Sequence, residues 1–158
     1  MNESFNDEHN WLQHALTSDI PLGSAMDLRV ARLDEAGVTL DLPLAANVND
    51  KGTAFGGALA SAMILAGWSL PRLLMRRAGL KAELVIGRCE IRFLRPVGGA
   101  FQATCPWPDA ADCERFIRRL RQSGKASLTL DPEIRADGEV AARLSAKYAA
   151  LGNPENRT

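Results

Sequence analysis

The chain has 158 residues, of which 46% are hydrophobic and 24% charged, and its formal net charge is zero. This length suits a single domain over residues 1–158, which would bury about two-thirds of its unfolded surface. Balanced charge gives no reason to expect nucleic acid or a membrane as the main partner. Residues 1–10 lack the segments of a secretory signal, and three cysteines without metal-ligand spacing fit reduced thiols. We therefore expect a cytoplasmic protein without a metal site.

The N-terminal third of the chain predicts a helix followed by a hairpin. Helical spacing of Trp11, Leu12 and Leu16 predicts the helix over residues 7–17. Its two histidines, His9 and His14, are the only ones in the chain and are far in sequence from the glycines at 52–57, so we expect surface or packing roles. Alternating apolar residues predict paired strands over 26–33 and 38–44 with one buried face.

An apolar run over residues 58–70 follows the polar, glycine-rich loop at 47–57. The next charged residue is Arg72, so a helix here would be buried around most of its circumference. The run is shorter than the roughly 20 residues that cross a bilayer, which favours a core helix. We expect Pro71 to end or kink this helix, and residues 72–79 to form a more exposed extension.

The second half of the chain returns to strand patterns. Residues 84–94 predict a strand with Val85, Cys89, Ile91 and Phe93 on one face, opposite Arg88, Glu90 and Arg92. Further strands are expected over 100–105, 126–134 and 139–150, with a helix over 110–122 and a loose tail after residue 151. The fold class is therefore α+β, with an antiparallel sheet and one long buried helix.

The loop at 47–57 carries the candidate chemistry. The first N–H groups of a helix that begins there lack carbonyl partners and lie at the positive end of the helix dipole, which suits a developing negative charge. Gly56 and Gly57 have no side chains to block a ligand carbonyl. Polar residues nearby that could supply hydrogen bonds or a base are Asn49, Asp50, Thr53 and Ser61. This pattern indicates acyl transfer, although spacing alone also fits a turn before a core helix.

The loop pattern Asn-x-Asn-x-Lys-Gly-Thr-Ala-Phe-Gly-Gly, the apolar helix and the strand at 91–97 together resemble hot-dog fold thioesterases. The most similar branch is the bacterial one that also occurs as the C-terminal domain of some N-acetyltransferases, and the resemblance covers residues 20–151. It implies a sheet wrapped around a long central helix and hydrolysis of an acyl thioester of coenzyme A or an acyl carrier protein. It also implies a homodimer or homotetramer with the active site between two protomers.

The resemblance implies unequal roles for the residues around the two glycines. Gly56 matches the glycine whose backbone N–H polarises the thioester carbonyl, and Gly57 follows it at the helix start. Many related enzymes carry a histidine where this chain has Phe55. They also carry an Asp or Glu nine residues later on the helix, where this chain has Ile64. The helical carboxylate is therefore missing here, which leaves the source of the base open.

The loop offers a replacement for the missing carboxylate. Asn49 matches, six residues before Phe55, the asparagine that helps to orient water in the histidine-containing branch, so we assign it to positioning water or the carbonyl. Asp50 is the only carboxylate in the loop and is assigned as general base. Thr53 and Ser61 are weaker candidates, because helix capping or an internal hydrogen bond explains each of them equally well.

The resemblance also implies a path for the acyl chain between the central helix and a neighbouring strand. Residues that could line it are Phe55, Met63, Trp68, Ile91 and Phe93, although each is also explained as ordinary core. Basic residues concentrate in 51–125, with 13 against five acids, and could contact the phosphates of coenzyme A or an acidic carrier. A solvated helix face explains the same pattern.

Other classes of protein fit less well. The chain lacks a phosphate-binding P-loop, a nucleophile elbow and a dinucleotide fingerprint, so we expect no cofactor. A hot-dog dehydratase is disfavoured because the loop has no histidine. The alternative from a different class is an acyl-thioester-binding or regulatory protein that has kept the fold and lost turnover.

Overall fold

The computed structural model describes residues 3–152. Its helices are α1 (Glu3–His14), α2 (Pro21–Ala25), α3 (Gly56–Arg77) and α4 (Ala110–Ser123). Its strands are β1 (Arg29–Leu33), β2 (Gly37–Leu42), β3 (Ala82–Phe93), β4 (Phe101–Pro106), β5 (Lys125–Leu130), β6 (Glu133–Ala136) and β7 (Glu139–Gly152). A π-helical turn, Ala15–Asp19, extends α1, so the predicted N-terminal helix exists but begins earlier than residue 7. Apart from Gly152, the tail predicted after residue 151 lies outside the described residues.

The strands form one antiparallel sheet in the order β1-β2-β4-β6-β7-β3, and β5 also pairs with β7. The long strand β7 pairs with β3 along one edge and with β6 and β5, one after the other, along the opposite edge. The single strand predicted over 126–134 is therefore wrong, because the chain leaves the ladder at Asp131 and Pro132. Pro132 has no N–H to donate to the ladder, which explains a break at this position.

The sheet wraps around α3, which contacts β2, β3, β4 and β7. Strand alternation directs apolar residues of β7 towards the helix: Leu144, Ala146, Tyr148 and Ala150 are buried, whereas Arg143, Ser145 and Lys147 are exposed. By length and composition alone α3 could cross a membrane, but 61% of its most apolar window is buried by the rest of the chain, as in a core helix. The predicted α+β architecture with a long central helix is thus confirmed.

Pro71 does not end α3, contrary to one of the two outcomes predicted for it. The helix continues to Arg77, and Leu73 and Met75 beyond the proline are fully buried. The segment is nevertheless more exposed than residues 58–70, as expected, because Arg76, Arg77 and Gly79 are exposed whereas no residue of 58–70 is. A proline inside a helix costs about 3 kcal/mol in isolation. Burial on both sides of Pro71 offsets that cost, which is how tertiary packing commonly overrides local propensity.

A bulge in β3 changes which residues face α3. The register with β7 shifts between Ile86 and Arg88, so one strand gains a residue relative to the other. Leu84 and Ile86 lie opposite buried residues of β7, whereas Val85 lies opposite Ala149 on the other face. The prediction that Val85 shares a face with Cys89, Ile91 and Phe93 is therefore wrong, because the extra residue reverses the alternation.

The two edges of the sheet are treated differently. At the β1 edge, Gln13 of α1 donates from Nε2 to the Leu28 carbonyl (3.2 Å) and accepts at Oε1 from the Val30 N–H (2.6 Å). His9 Nε2 lies 2.7 Å from the Val30 carbonyl oxygen, which gives this histidine the packing role expected for it. Side chains of α1 thus occupy the outer edge of β1 at Val30. The outer edge of β3 has no such partner within residues 3–152.

Close packing between α3 and β7 depends on Gly67. A Cβ at this position would lie 2.5 Å from the Tyr148 hydroxyl oxygen, which donates to the Ile64 carbonyl at 2.6 Å. Gly67→Ala should therefore lower the free energy of unfolding by about 1–3 kcal/mol, measured by urea denaturation, despite the higher helix propensity of alanine. Gly98→Ala is the matched control, because no atom lies within 4 Å of its Cβ position. A stabilised Gly67→Ala variant would contradict this packing constraint.

Candidate active site

Asn47 anchors the loop that precedes α3. Its buried side chain donates from Nδ2 to the carbonyls of Met26 (3.0 Å) and Pro43 (2.7 Å), and its own carbonyl accepts from the Phe55 N–H at 2.7 Å. These bonds connect the start of β1, the end of β2 and the start of α3. The first asparagine of the loop pattern therefore has a structural role, and sequence reasoning did not assign it one.

Asn49 closes the tip of the loop. Its Oδ1 accepts from the N–H groups of Lys51 (2.8 Å) and Thr53 (3.1 Å), and its Nδ2 donates to Thr53 Oγ1 at 2.8 Å. A bridge between Val48 and Ala54 joins the two sides of the loop, and the Ala54 N–H donates to the Val97 carbonyl. The amide of Asn49 is thus already committed to the loop's own backbone, apart from one N–H hydrogen.

The helix α3, which follows the loop, begins without a side-chain N-cap. Phe55 is the N-cap residue and offers no side-chain acceptor. The first helix N–H groups with acceptors are those of Ala58 and Leu59, which both donate to the Phe55 carbonyl. Within residues 3–152, the N–H groups of Gly56 and Gly57 have no hydrogen-bond partner. Two donors therefore lie unpaired at the positive end of a 22-residue helix.

Two phenylalanines flank these donors. A Cβ at Gly56 would make ordinary contact, at 3.7 Å, with the ring of Phe93 on β3. At Gly57 a Cβ would overlap the present position of the exposed Phe55 ring, so a larger residue would require that ring to move. The two phenylalanines are 58% and 56% exposed, and Val48 and Leu94 nearby in sequence are also exposed. The donors thus lie among apolar side chains that a ligand or a second chain can cover.

The other predicted residues occupy different environments. Asp50 is at the loop tip with its side chain 82% exposed, and it pairs with Lys51 Nζ at 3.1 Å. Ser61 and Trp68 are partly exposed on α3, as is Ile91 on β3, whereas Met63 is fully buried in the core. The structure therefore brings Gly56, Gly57, Phe55 and Phe93 together, but leaves Asp50 facing solvent and Met63 away from any surface.

The main surface depressions within residues 3–152 lie away from this loop. Four surface depressions of about 490–580 Å³ lie on the outer sheet face and beside α4, and none is lined by a residue of the loop. Burial raises the pKa of the Cys105 thiol to about 12 and also raises that of Cys113, which disfavours the thiolate form of both. The two glycine donors lie outside all four depressions.

The chain matches a known protein family over almost its whole length. Residues 9–152 fit the model of the family described as "Putative thioesterase (yiiD_Cterm)", and the chain belongs to this family. No functionally curated protein matches the chain.

Solved structures place the chain among hot-dog proteins. A protein of unknown function from Chlorobaculum tepidum TLS is 26% identical, with a TM-score of 0.86 over 92% of this chain and 94% of that one. A protein from Shewanella oneidensis described as a "putative thioesterase" is also 26% identical, with a TM-score of 0.80 over 92% and 99% of the two chains. A "probable thioesterase" from Pseudomonas aeruginosa, 23% identical with a TM-score of 0.75 over 91% and 95%, shares the fold. These similarities confirm the predicted family and hot-dog fold.

The hydrogen bonds of Asn49 predict a local effect of its removal. Asn49→Ala deletes two side-chain bonds to backbone amides, each worth about 1 kcal/mol, so hydrogen exchange at the Lys51 and Thr53 amides should accelerate by about tenfold or more. Asp50→Asn is the matched control, because Asp50 contacts only the exposed Lys51 side chain and should leave exchange unchanged. Unaltered exchange in Asn49→Ala would show that this side chain does not hold the loop.

Proposed function

We propose that the protein hydrolyses an acyl thioester, carried by coenzyme A or by an acyl carrier protein, to a free acid and a thiol. Membership of a thioesterase family supports the reaction class. The observation that carries the proposal is the pair of unpaired N–H groups at Gly56 and Gly57, since attack on a thioester places negative charge on the carbonyl oxygen. Backbone donors at a helix N-terminus stabilise such an oxyanion without reorganisation, and loss of one donor typically costs about 10²–10³-fold in rate.

Water activation requires a base near these donors. Asp50 is the carboxylate of the loop, and we assign it to take the proton from water. Its exposure requires that substrate or a second protomer cover the loop tip during the reaction. Asn49 holds the loop around Asp50 and retains one N–H hydrogen that can orient water or the carbonyl. Thr53 supports Asn49 rather than substrate, because its hydroxyl accepts from the Asn49 amide.

A second copy of the chain is the proposed cover for the site. Side chains of α1 occupy the β1 edge at Val30, whereas within residues 3–152 β3 offers a free outer edge of 12 residues for extending the sheet. Exposed apolar residues on or beside this strand are Val85, Ile86, Phe93 and Leu94. Pairing of two protomers along β3 would bring a partner surface to Phe93 and hence to Gly56. We therefore propose a homodimer, or a homotetramer built from it, with the site at the interface.

A specific observation favours the non-catalytic alternative. Ile64 stands where related enzymes carry a carboxylate, and it is partly exposed on α3 without any ionisable group of its own. The remaining candidate, Asp50, faces solvent and pairs with Lys51. A protein that binds acyl thioesters through the glycine donors and releases them unchanged would need no base at all. Turnover separates this alternative from hydrolysis.

Hydrolysis is tested with purified protein and acyl-coenzyme A esters of varied chain length, with thiol release as the measurement. We expect release above the buffer rate for at least one ester. Asp50→Asn should lower kcat by about 10²-fold while KM changes little, because the carboxylate acts on water and not on substrate binding. Saturable binding without thiol release across the panel would establish the binding-protein alternative.

The same experiment distinguishes the roles within the loop. Asn49→Asp keeps the acceptor for the Lys51 and Thr53 amides, loses the amide donor and adds a carboxylate, so it should retain more activity than Asn49→Ala. Full activity in Asp50→Asn would contradict the assignment of Asp50 as general base and would mean that another group takes the proton from water. Gly56→Ala creates only an ordinary contact with Phe93, so any loss of rate in this variant reports on approach to the donors and not on misfolding.

Assembly through the β3 edge predicts the mass of the protein in solution. Light scattering at micromolar concentration should give twice or four times the 17.1 kDa of one chain. The physical reason is the open edge of β3 with its exposed apolar residues, which a monomer would leave in water. A monomer that is stable and fully active over this concentration range would contradict an interfacial site.

A further inference from the structure

A partly exposed stripe runs along α3 from the glycine donors. Its members are Gly57, Ala60, Ser61, Ile64 and Trp68, which recur at intervals of three or four residues, whereas the residues on either side of them around the helix are buried. At 3.6 residues per turn, Gly57, Ile64 and Trp68 lie within about 40° of one another around the axis. The stripe is thus a continuous lane on one face of the helix.

Sheet and α1 border this lane on opposite sides. On the sheet side, Gly56 contacts Phe93, and the Ile64 carbonyl binds Tyr148, whose neighbour across the ladder is Ile86. Gly67 faces the same tyrosine. Arg72, which contacts α1, lies about 140° around the helix from Gly67, so the lane falls between the sheet and α1. On the sheet side the neighbouring residues are apolar, since Ile86, Ile91 and Phe93 occupy the face of β3 that points towards α3.

Two tryptophans and two arginines lie together at the far end of the lane. The Arg72 guanidinium lies 5.4 Å from the ring centroids of both Trp68 and Trp11, and the Arg76 guanidinium lies 5.2 Å from the Trp11 centroid. Within the described residues Arg72 Nε is buried and has no hydrogen-bond partner, and no carboxylate pairs with this arginine. Arg72 is consequently held between the two rings by cation–π contact and packing, whereas Arg76 also pairs with Asp7 at 2.9 Å.

We propose that Trp68, held by Arg72 against Trp11, is the stop that limits the length of the acyl chain. The inference rests on the proposed function, because it takes the thioester carbonyl to lie at Gly56 and Gly57. The lane accepts the chain between α3 and β3, and the indole blocks its continuation along the helix. The substrate class is therefore a thioester of a medium-length acyl group.

The dimensions give the expected limit. From Gly57 to Trp68 the helix rises about 16 Å, and the Trp68 side chain leans towards the helix N-terminus by about one turn, which leaves roughly 11 Å. An extended carbon chain with bonds of about 1.5 Å and angles near 111° advances roughly 1.25 Å per carbon. The lane therefore holds about eight to ten carbons, and removal of the indole should lengthen it by about four.

The test compares wild type with Trp68→Ala on coenzyme A esters of 4 to about 18 carbons, with kcat/KM measured for each. In wild type kcat/KM should rise to about ten carbons and fall beyond, whereas in Trp68→Ala the decline should move about four carbons further. Each methylene newly admitted is worth about fourfold, so the gain at the longer chains should be tenfold or more. Trp68→Phe, which keeps a ring in the lane, should retain the wild-type limit.

Ile117→Ala is the matched control, because it truncates a partly buried apolar residue on α4, outside the lane. It should leave the chain-length profile unchanged, and light scattering should show that both variants assemble as wild type does. Superimposable profiles for Trp68→Ala and wild type would overturn the proposal, as would a wild-type enzyme that accepts 16 carbons as readily as ten.

A binding measurement separates this inference from the proposed hydrolysis. Thioether analogues of the same esters cannot be hydrolysed, and calorimetry gives their dissociation constants for wild type and Trp68→Ala. Absence of turnover combined with a length limit that moves in Trp68→Ala would overturn hydrolysis and support the stop. If the enzyme turns over thioesters but the dissociation constants of the analogues are the same for wild type and Trp68→Ala at every chain length, hydrolysis is supported and the stop is overturned.

Discussion

Burial of the apolar helix α3 is the constraint on which the rest of the structure depends. Its 22 residues include 12 that are buried, and only a sheet wrapped around the helix removes that many from water. One face remains partly open, and the helix start remains without a cap. Both features that bear on function are therefore places where the wrapping is incomplete. The unpaired donors of Gly56 and Gly57 lie at the end of the helix, and the lane towards Trp68 lies along its side.

The sequence predicted this arrangement where the signal was local and strong. A long apolar run after paired glycines identified α3, and alternation identified β2, β3 and β7. It failed where long-range packing decided the outcome. Pro71 remains inside α3 because residues on both sides of it are buried. The bulge in β3 places Val85 on the opposite face from the predicted one, and within the strand only Gly87 could have indicated it. Conversely, Pro132 was an available signal for the break between β5 and β6 that the pattern of alternation concealed.

In the candidate site, too, local features were predictable from the sequence, whereas long-range contacts were not. Gly56 and Gly57 were identified from the loop and helix alone, because free N–H groups at a helix start follow from backbone geometry. The ring of Phe93 over Gly56 and the tie from Asn47 to Met26 join residues more than 20 positions apart, so no local pattern reveals them. Phe55 occupies the position at which many related enzymes carry a histidine, and in this structure its ring lies over Gly57. The loss of an ionisable group at this position thus has a packing consequence as well as a chemical one.

The N-terminal helix α1 contacts both regions of the molecule on which the proposals rest. Its Gln13 and His9 bond the backbone at Leu28 and Val30 and so occupy part of the β1 edge, whereas the outer edge of β3 has no strand partner within residues 3–152. Its Trp11, on another face of the same helix, lies against Arg72, which in turn lies against Trp68. Since one helix carries both sets of contacts, a shift of α1 along α3 would alter the β1 edge and the surroundings of Trp68 together. The proposed interface and the proposed stop therefore both depend on a helix that contributes no residue to the proposed chemistry.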